Sequence, residues 1–143
     1  MNETIQTIRD RRSIRKFKPQ ALPAQLLEQI VEAGLYAPSA RNRQPWHLCV
    51  LQGAGRIDAL TQELNAATAR MPDNPYAKFV GVREYAVSYP PPASILVPAD
   101  PSVTPLVMAD CALVLGNMFL AATLPGIGPC RIHQLVPSVH SPG

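Results

Sequence analysis

The chain has 143 residues, 47% hydrophobic and 16% charged, with a formal net charge of +3. That is enough for one domain, expected over residues 1–143, with a real core, and too apolar for a disordered tail. Residues 1–20 hold six Lys/Arg (Arg9, Arg11, Arg12, Arg15, Lys16, Lys18) against Glu3 and Asp10, so the remainder is close to neutral. Such local basicity, with few aromatics beside it for stacking, argues for an anionic small ligand and against a nucleic-acid surface.

In chain order, Asn2 or Thr4 caps a short helix ending near Asp10, with Ile5 and Ile8 on its inner face. The basic run Arg11-Arg12-Ser13-Ile14-Arg15 follows. In extended backbone, Arg11, Ser13 and Arg15 point to one side and offer two guanidinium forks and a hydroxyl, donors suited to a phosphate. Read alone, the same run is equally a solvated basic stretch. Pro23 opens a second helix, with Leu26, Leu27, Ile30, Val31, Gly34 and Leu35 forming an apolar stripe. Pro38 stops it. Ser39 and Asn42 then either cap a turn or line a site. Trp46 to Leu51 is expected to be a buried strand, with His47 at the surface. Gly53-Ala54-Gly55 reads as a turn and is not a dinucleotide fingerprint.

A third helix is expected from about Arg56 to Arg70, with Ile57, Leu60, Leu64 and Ala67 on one face. Residues 71–92 form a long proline-rich irregular stretch, of a length that is often functional or mobile. Ala93 to Val97 is expected as a second strand. From Thr104 to Leu124 the chain is almost wholly apolar, but Asp110 and Asn117 would be costly in lipid. A helix buried all round, inside the domain or between subunits, is the better reading, so no membrane partner is expected. Asp110 then satisfies a buried polar partner. Gly126 to Ile132 reads as a turn and strand. Cys49, Cys111 and Cys130 have neither metal spacing nor a disulfide framework, and the first residues lack a signal-peptide pattern, so the expected compartment is the cytoplasm.

The order Arg11-Arg12-Ser13-Ile14-Arg15, then Ala37-Pro38-Ser39-Ala40-Arg41-Asn42-Arg43-Gln44-Pro45-Trp46, then a strand resembles the nitroreductase family of FMN-dependent oxidoreductases. A weaker echo runs from Asp110 to Gln134, where Gly126-Ile127-Gly128-Pro129-Cys130-Arg131-Ile132 is similar to that family's G-x-G-S-C-W-I turn and strand, with Pro129 for the serine and Arg131 for the tryptophan. The resemblance implies an α+β fold, a central helix buried in a homodimer, and FMN between subunits. Arg11, Ser13 and Arg15, with Arg12 nearby, would hold the phosphate and ribityl chain. Pro38, Ser39 and Asn42 would line the isoalloxazine ring, and the backbone of Gly126, Ile127 and Gly128 would approach it.

The activity so implied is a ping-pong transfer from NAD(P)H through the flavin to a small-molecule acceptor such as a nitroaromatic or quinone, with no catalytic side chain and no metal. Arg41 and Arg43 are either solvated or help select an anionic donor such as NADPH. Residues 135–143 lack the helix and strand that the family carries after this turn, so a flavin-binding or dimerising remnant without turnover is the alternative.

Overall fold

The computed structural model describes residues 2–71 and 91–132. It is an α+β arrangement with helices α1 (Glu3–Asp10), α2 (Ala24–Leu35), α3 (Ala54–Ala69) and α4 (Val107–Thr123), and strands β1 (Cys49–Gln52) and β2 (Ala93–Leu96). The expected loop over 71–92 lies almost wholly outside the described residues, as does the final segment 133–143.

The core forms where α2 lies on α4. Ile30 and Ala37 meet Val114, Met118 and Ala122, and Trp46 joins them. Val114 is fully buried, a contribution of about 1.5–3 kcal/mol by transfer of its side chain from water. Asn117 fastens the same contact, donating from Nδ2 to the Ala33 carbonyl at 3.0 Å. α2 obeys the sequence punctuation: Pro23 stands at its N-cap, and it ends at Leu35, ahead of Ala37-Pro38.

Within the single chain α4 is buried along one stripe and not all round. Asp110, Val114, Met118 and Ala122, spaced four apart, are its buried residues, which is a single helical stripe. Met108 and Leu113 are 46% and 47% exposed on the other side. Composition says a helix is apolar all round; within this chain α2 covers one face of it. Likewise Ile5 and Ile8 of α1 are exposed, and the buried residue is Thr7, whose hydroxyl donates to the Glu3 carbonyl at 2.9 Å. Leu35 is also exposed rather than part of the α2 stripe. Asn2 does cap α1, its Oδ1 accepting from Thr4 N–H at 2.8 Å.

β1 and β2 pair antiparallel with Cys49 opposite Leu96 and Gln52 opposite Ala93. Trp46 opposite Ala99 continues the same register, so pairing begins three residues before the formal strand. Two prolines explain the gap. His47 N–H donates to the Pro98 carbonyl at 2.8 Å and Asp100 N–H to the Pro45 carbonyl at 2.9 Å. The reciprocal bonds cannot form, because proline has no N–H. The strand is also less buried than expected, with Cys49 and Val50 exposed and Leu51 and Gln52 partly so, while Trp46 is buried and His47 exposed. Gly53 lies at the N-cap of α3 with φ of 93°, a conformation natural for glycine. Ala54 and Gly55 belong to α3 rather than to a turn, and Ile57, Leu64 and Thr68 are its buried residues.

Candidate functional site

The basic run leaves α1 in extended backbone, with Arg11 at φ −56° and ψ 130°. Ile14 N–H donates to the Pro129 carbonyl at 3.1 Å, which pins the run against the segment that follows α4. The side of Ile14 meets Gly128, where an added Cβ would lie 2.6 Å from the Ile14 Cβ. The cations do not share one environment. Ser13 and Arg15 are exposed, whereas Arg11 is partly buried, its guanidinium 6.0 Å from the Phe119 ring centroid on α4. That is within the range for a cation–π contact. Arg12 turns back on α1, donating to the carbonyls of Arg9 and Arg11. A cation there suits a helix C-terminus.

The second motif folds into a tight loop. Ser39 is extended, and Ala40–Asn42 make one 3-10 turn. Arg41, Asn42 and Gln44 all have positive φ, at 53°, 53° and 45°, a left-handed backbone that costs non-glycine residues energy unless neighbours hold it. The side chains stitch the loop: Ser39 Oγ accepts from Gln44 N–H at 2.9 Å, and Asn42 Oδ1 accepts from Gln44 Nε2 at 2.8 Å. Pro38, Arg41, Asn42 and Arg43 are exposed and Ser39 partly so. The loop is tied to α4 by Asp110, whose Oδ1 accepts from the Ala40 N–H at 3.1 Å. Asp110 is buried, and its Oδ2 has no hydrogen-bond partner among the described residues. An unsatisfied buried acceptor of this kind calls for a cause.

At the far end, α4 closes in a Schellman motif. Ile127 N–H reaches the Ala122 carbonyl at 2.9 Å and Gly126 N–H the Thr123 carbonyl at 3.0 Å, with Gly126 at φ 80°. This is the pattern that satisfies the last helix carbonyls. The expectation that amides around Gly126 to Gly128 are open to a ligand is therefore corrected for two of them: the N–H groups of Gly126 and Ile127 are spent on the cap. No strand is formed between Gly126 and Ile132.

α4 sets the spacing of these parts. Asp110 anchors the Ser39–Asn42 loop and Phe119 carries Arg11, nine residues further on, or about 14 Å along the axis. The structure thus joins Arg11 to Arg15 with Gly126 to Gly128 at one end of α4, and holds Pro38, Ser39 and Asn42 at the other. Phe119 was not legible as a site residue. Asp110 was readable as a buried polar residue, but its partner, a backbone amide 70 positions away, leaves no sequence signal. Among the described residues no group of three or more His, Cys, Asp or Glu could hold a metal, and no helix is long and apolar enough to cross a membrane.

Residues 8–136 match the model of the Nitroreductase family. The chain is 26% identical over 129 residues to a protein of Methanothermobacter thermautotrophicus provisionally named NADH dehydrogenase/NAD(P)H nitroreductase, covering 88% of this chain and 58% of that one. A likewise named Archaeoglobus fulgidus protein is 29% identical over 132 residues, covering 90% and 66%. The chain thus spans roughly three-fifths of the length of these relatives. Among solved structures, a nitroreductase with bound FMN from Bacteroides fragilis superposes with a TM-score of 0.86 at 30% identity, covering 99% of this chain and 82% of that one. One from Desulfitobacterium hafniense, also with bound FMN, gives 0.82 at 32% identity, covering 96% and 73%.

Proposed function

Because the chain belongs to the nitroreductase family, we propose that it is an FMN-dependent oxidoreductase that takes electrons from NAD(P)H and delivers them to a nitroaromatic, quinone or related small acceptor. The FMN bound in the Bacteroides fragilis and Desulfitobacterium hafniense proteins supports the choice of cofactor. The observation that carries the reading is the Ile14–Pro129 hydrogen bond, which sets the basic run beside the turn after α4.

The residues fit FMN. Ser13 and Arg15 are exposed donors for a phosphate and ribityl chain, with Arg11 behind them and Arg12 bracing the end of α1. Gly126, Ile127 and Gly128 flank this end; Gly128 carries no Cβ, so the basic run can approach. Pro38, Ser39 and Asn42 form the corner assigned to the ring. FMN, when bound, supplies the redox chemistry by accepting a hydride equivalent from the nicotinamide and passing electrons to the acceptor. The chain's own task is to bind and orient; no side-chain acid or base is invoked.

A homodimer completes the proposal. The uncovered apolar side of α4, with Ile5 and Ile8 of α1, is the kind of surface that marks an interface, and FMN is assigned to the groove between the copies. The three free cysteines suit a reducing cytoplasm.

The test is the visible spectrum of the purified protein before and after anaerobic NADPH. Bound yellow flavin that bleaches is expected. Flavin that stays oxidised with both NADPH and NADH would leave only a flavin-binding protein, and a colourless protein that takes up no added FMN would end the reading.

A further inference from the structure

We propose that Asp110 is a positioning residue for the flavin-ring corner, acting through the Ala40 amide to hold Ser39 and Asn42 in place. The inference rests on the functional reading above and goes beyond it, because it gives a role to a residue outside the cofactor-binding set proposed there.

The loop from Ser39 to Gln44 is costly to form, with three non-glycine residues left-handed. The Ser39–Gln44 and Asn42–Gln44 hydrogen bonds lie inside the loop and fix its internal shape without fixing it to the protein. The bond from Ala40 N–H to Asp110 Oδ1 does the latter, joining the loop to the first turn of α4. That turn begins the stripe that continues through Val114 and Met118 into the core. The corner is thereby referenced to the stripe of α4 that carries fully buried Val114. The positive end of the α4 dipole favours a carboxylate at this place.

The second oxygen is buried without a donor among the described residues, so Oδ1 alone makes the link to the loop. A shape-matched apolar residue would avoid that penalty, but it would leave the Ala40 amide without an acceptor.

The experiment compares wild type, Asp110→Ala and Asp110→Asn by FMN fluorescence titration, by the visible spectrum of the bound flavin and by its midpoint potential. Asp110→Ala is expected to weaken FMN binding about tenfold or more and to shift the flavin band and potential. Asp110→Asn keeps an acceptor for the amide and should stay within about threefold of wild type. If Asp110→Ala binds FMN with unchanged affinity, spectrum and potential, the inference falls while the functional reading stands. Equal damage from both variants would also overturn it, since the acceptor would then not be what matters. A wild-type protein that takes up no FMN overturns the functional reading and this one with it. Should Asp110→Ala fail to fold, hydrogen exchange at the Ala40 amide of the wild type decides: slow exchange, matching the α4 core, supports the clamp, and exchange as fast as an exposed loop refutes it.

Discussion

Gly34 of α2 and Met118 of α4 face each other so closely that a Cβ on Gly34 would lie 2.8 Å from Met118 Cγ and 3.2 Å from its Sδ. Val114 Cγ1 stands 3.3 Å from the same point. The α2–α4 contact is therefore made by the absence of a side chain. Gly34→Ala would gain up to about 1 kcal/mol of helix propensity, set against about 1–3 kcal/mol for overpacking. Met118 is adaptable, but fully buried Val114 is not. A net loss of about 1 kcal/mol is expected, measured as a thermal midpoint lower by roughly 3 °C.

Gly128 plays the corresponding part at the site. An added Cβ there strikes the Ile14 side chain at its branched, stiff Cβ. Gly128→Ala should thus push the basic run away from the turn and weaken FMN binding by about tenfold, with helix content by circular dichroism unchanged. Arg15→Ala should lose a single charge-assisted contact, about 1.5–3 kcal/mol. Unchanged FMN affinity in both variants would remove this segment from the site.

The exposed side of α4 tests the dimer. Leu113→Asp puts a carboxylate on a surface 47% exposed in the single chain, so the monomer should fold normally. Burying that charge in a subunit contact should weaken association by about a hundredfold or more. Sedimentation should show the wild type as a dimer and the variant as a monomer at micromolar concentration.

Cys111 gives a pH prediction. Burial first, and then the neighbouring Asp110 charge, push its thiol above the ordinary value of 9.0. A raised folded-state value means the contribution to stability is fully present below the unfolded value and is lost as pH rises through the folded one. The urea midpoint should therefore drop as pH rises through and above 9.0, and by less in Cys111→Ala. In the native state, alkylation of Cys111 should lag behind that of exposed Cys49.

Much of the architecture was legible because it depends on local rules. Pro23 and Pro38 bracket α2, Asn2 caps α1, and an apolar run of about 20 residues is too long for an ordinary strand. The two motifs carried the family, since their order and spacing are written in the chain itself. The faces were another matter. Ile5 and Ile8 were expected inside and lie exposed in the single chain, and α4, expected to be buried inside the domain or between subunits, is covered by its own chain along one stripe. Periodicity tells which residues share a face; it does not tell what stands opposite.

The sequence by itself determined where the helices run and which cations and polar residues are available to a mononucleotide. Tertiary structure alone decided that Arg11 leans on Phe119, that Gly126 and Ile127 spend their amides on a helix cap, and that Asp110 holds the Ala40 amide. Each of these joins residues through the packing of α4 or the closing of its last turn. The free energy of such a contact depends on a partner's position, and no local propensity encodes that position.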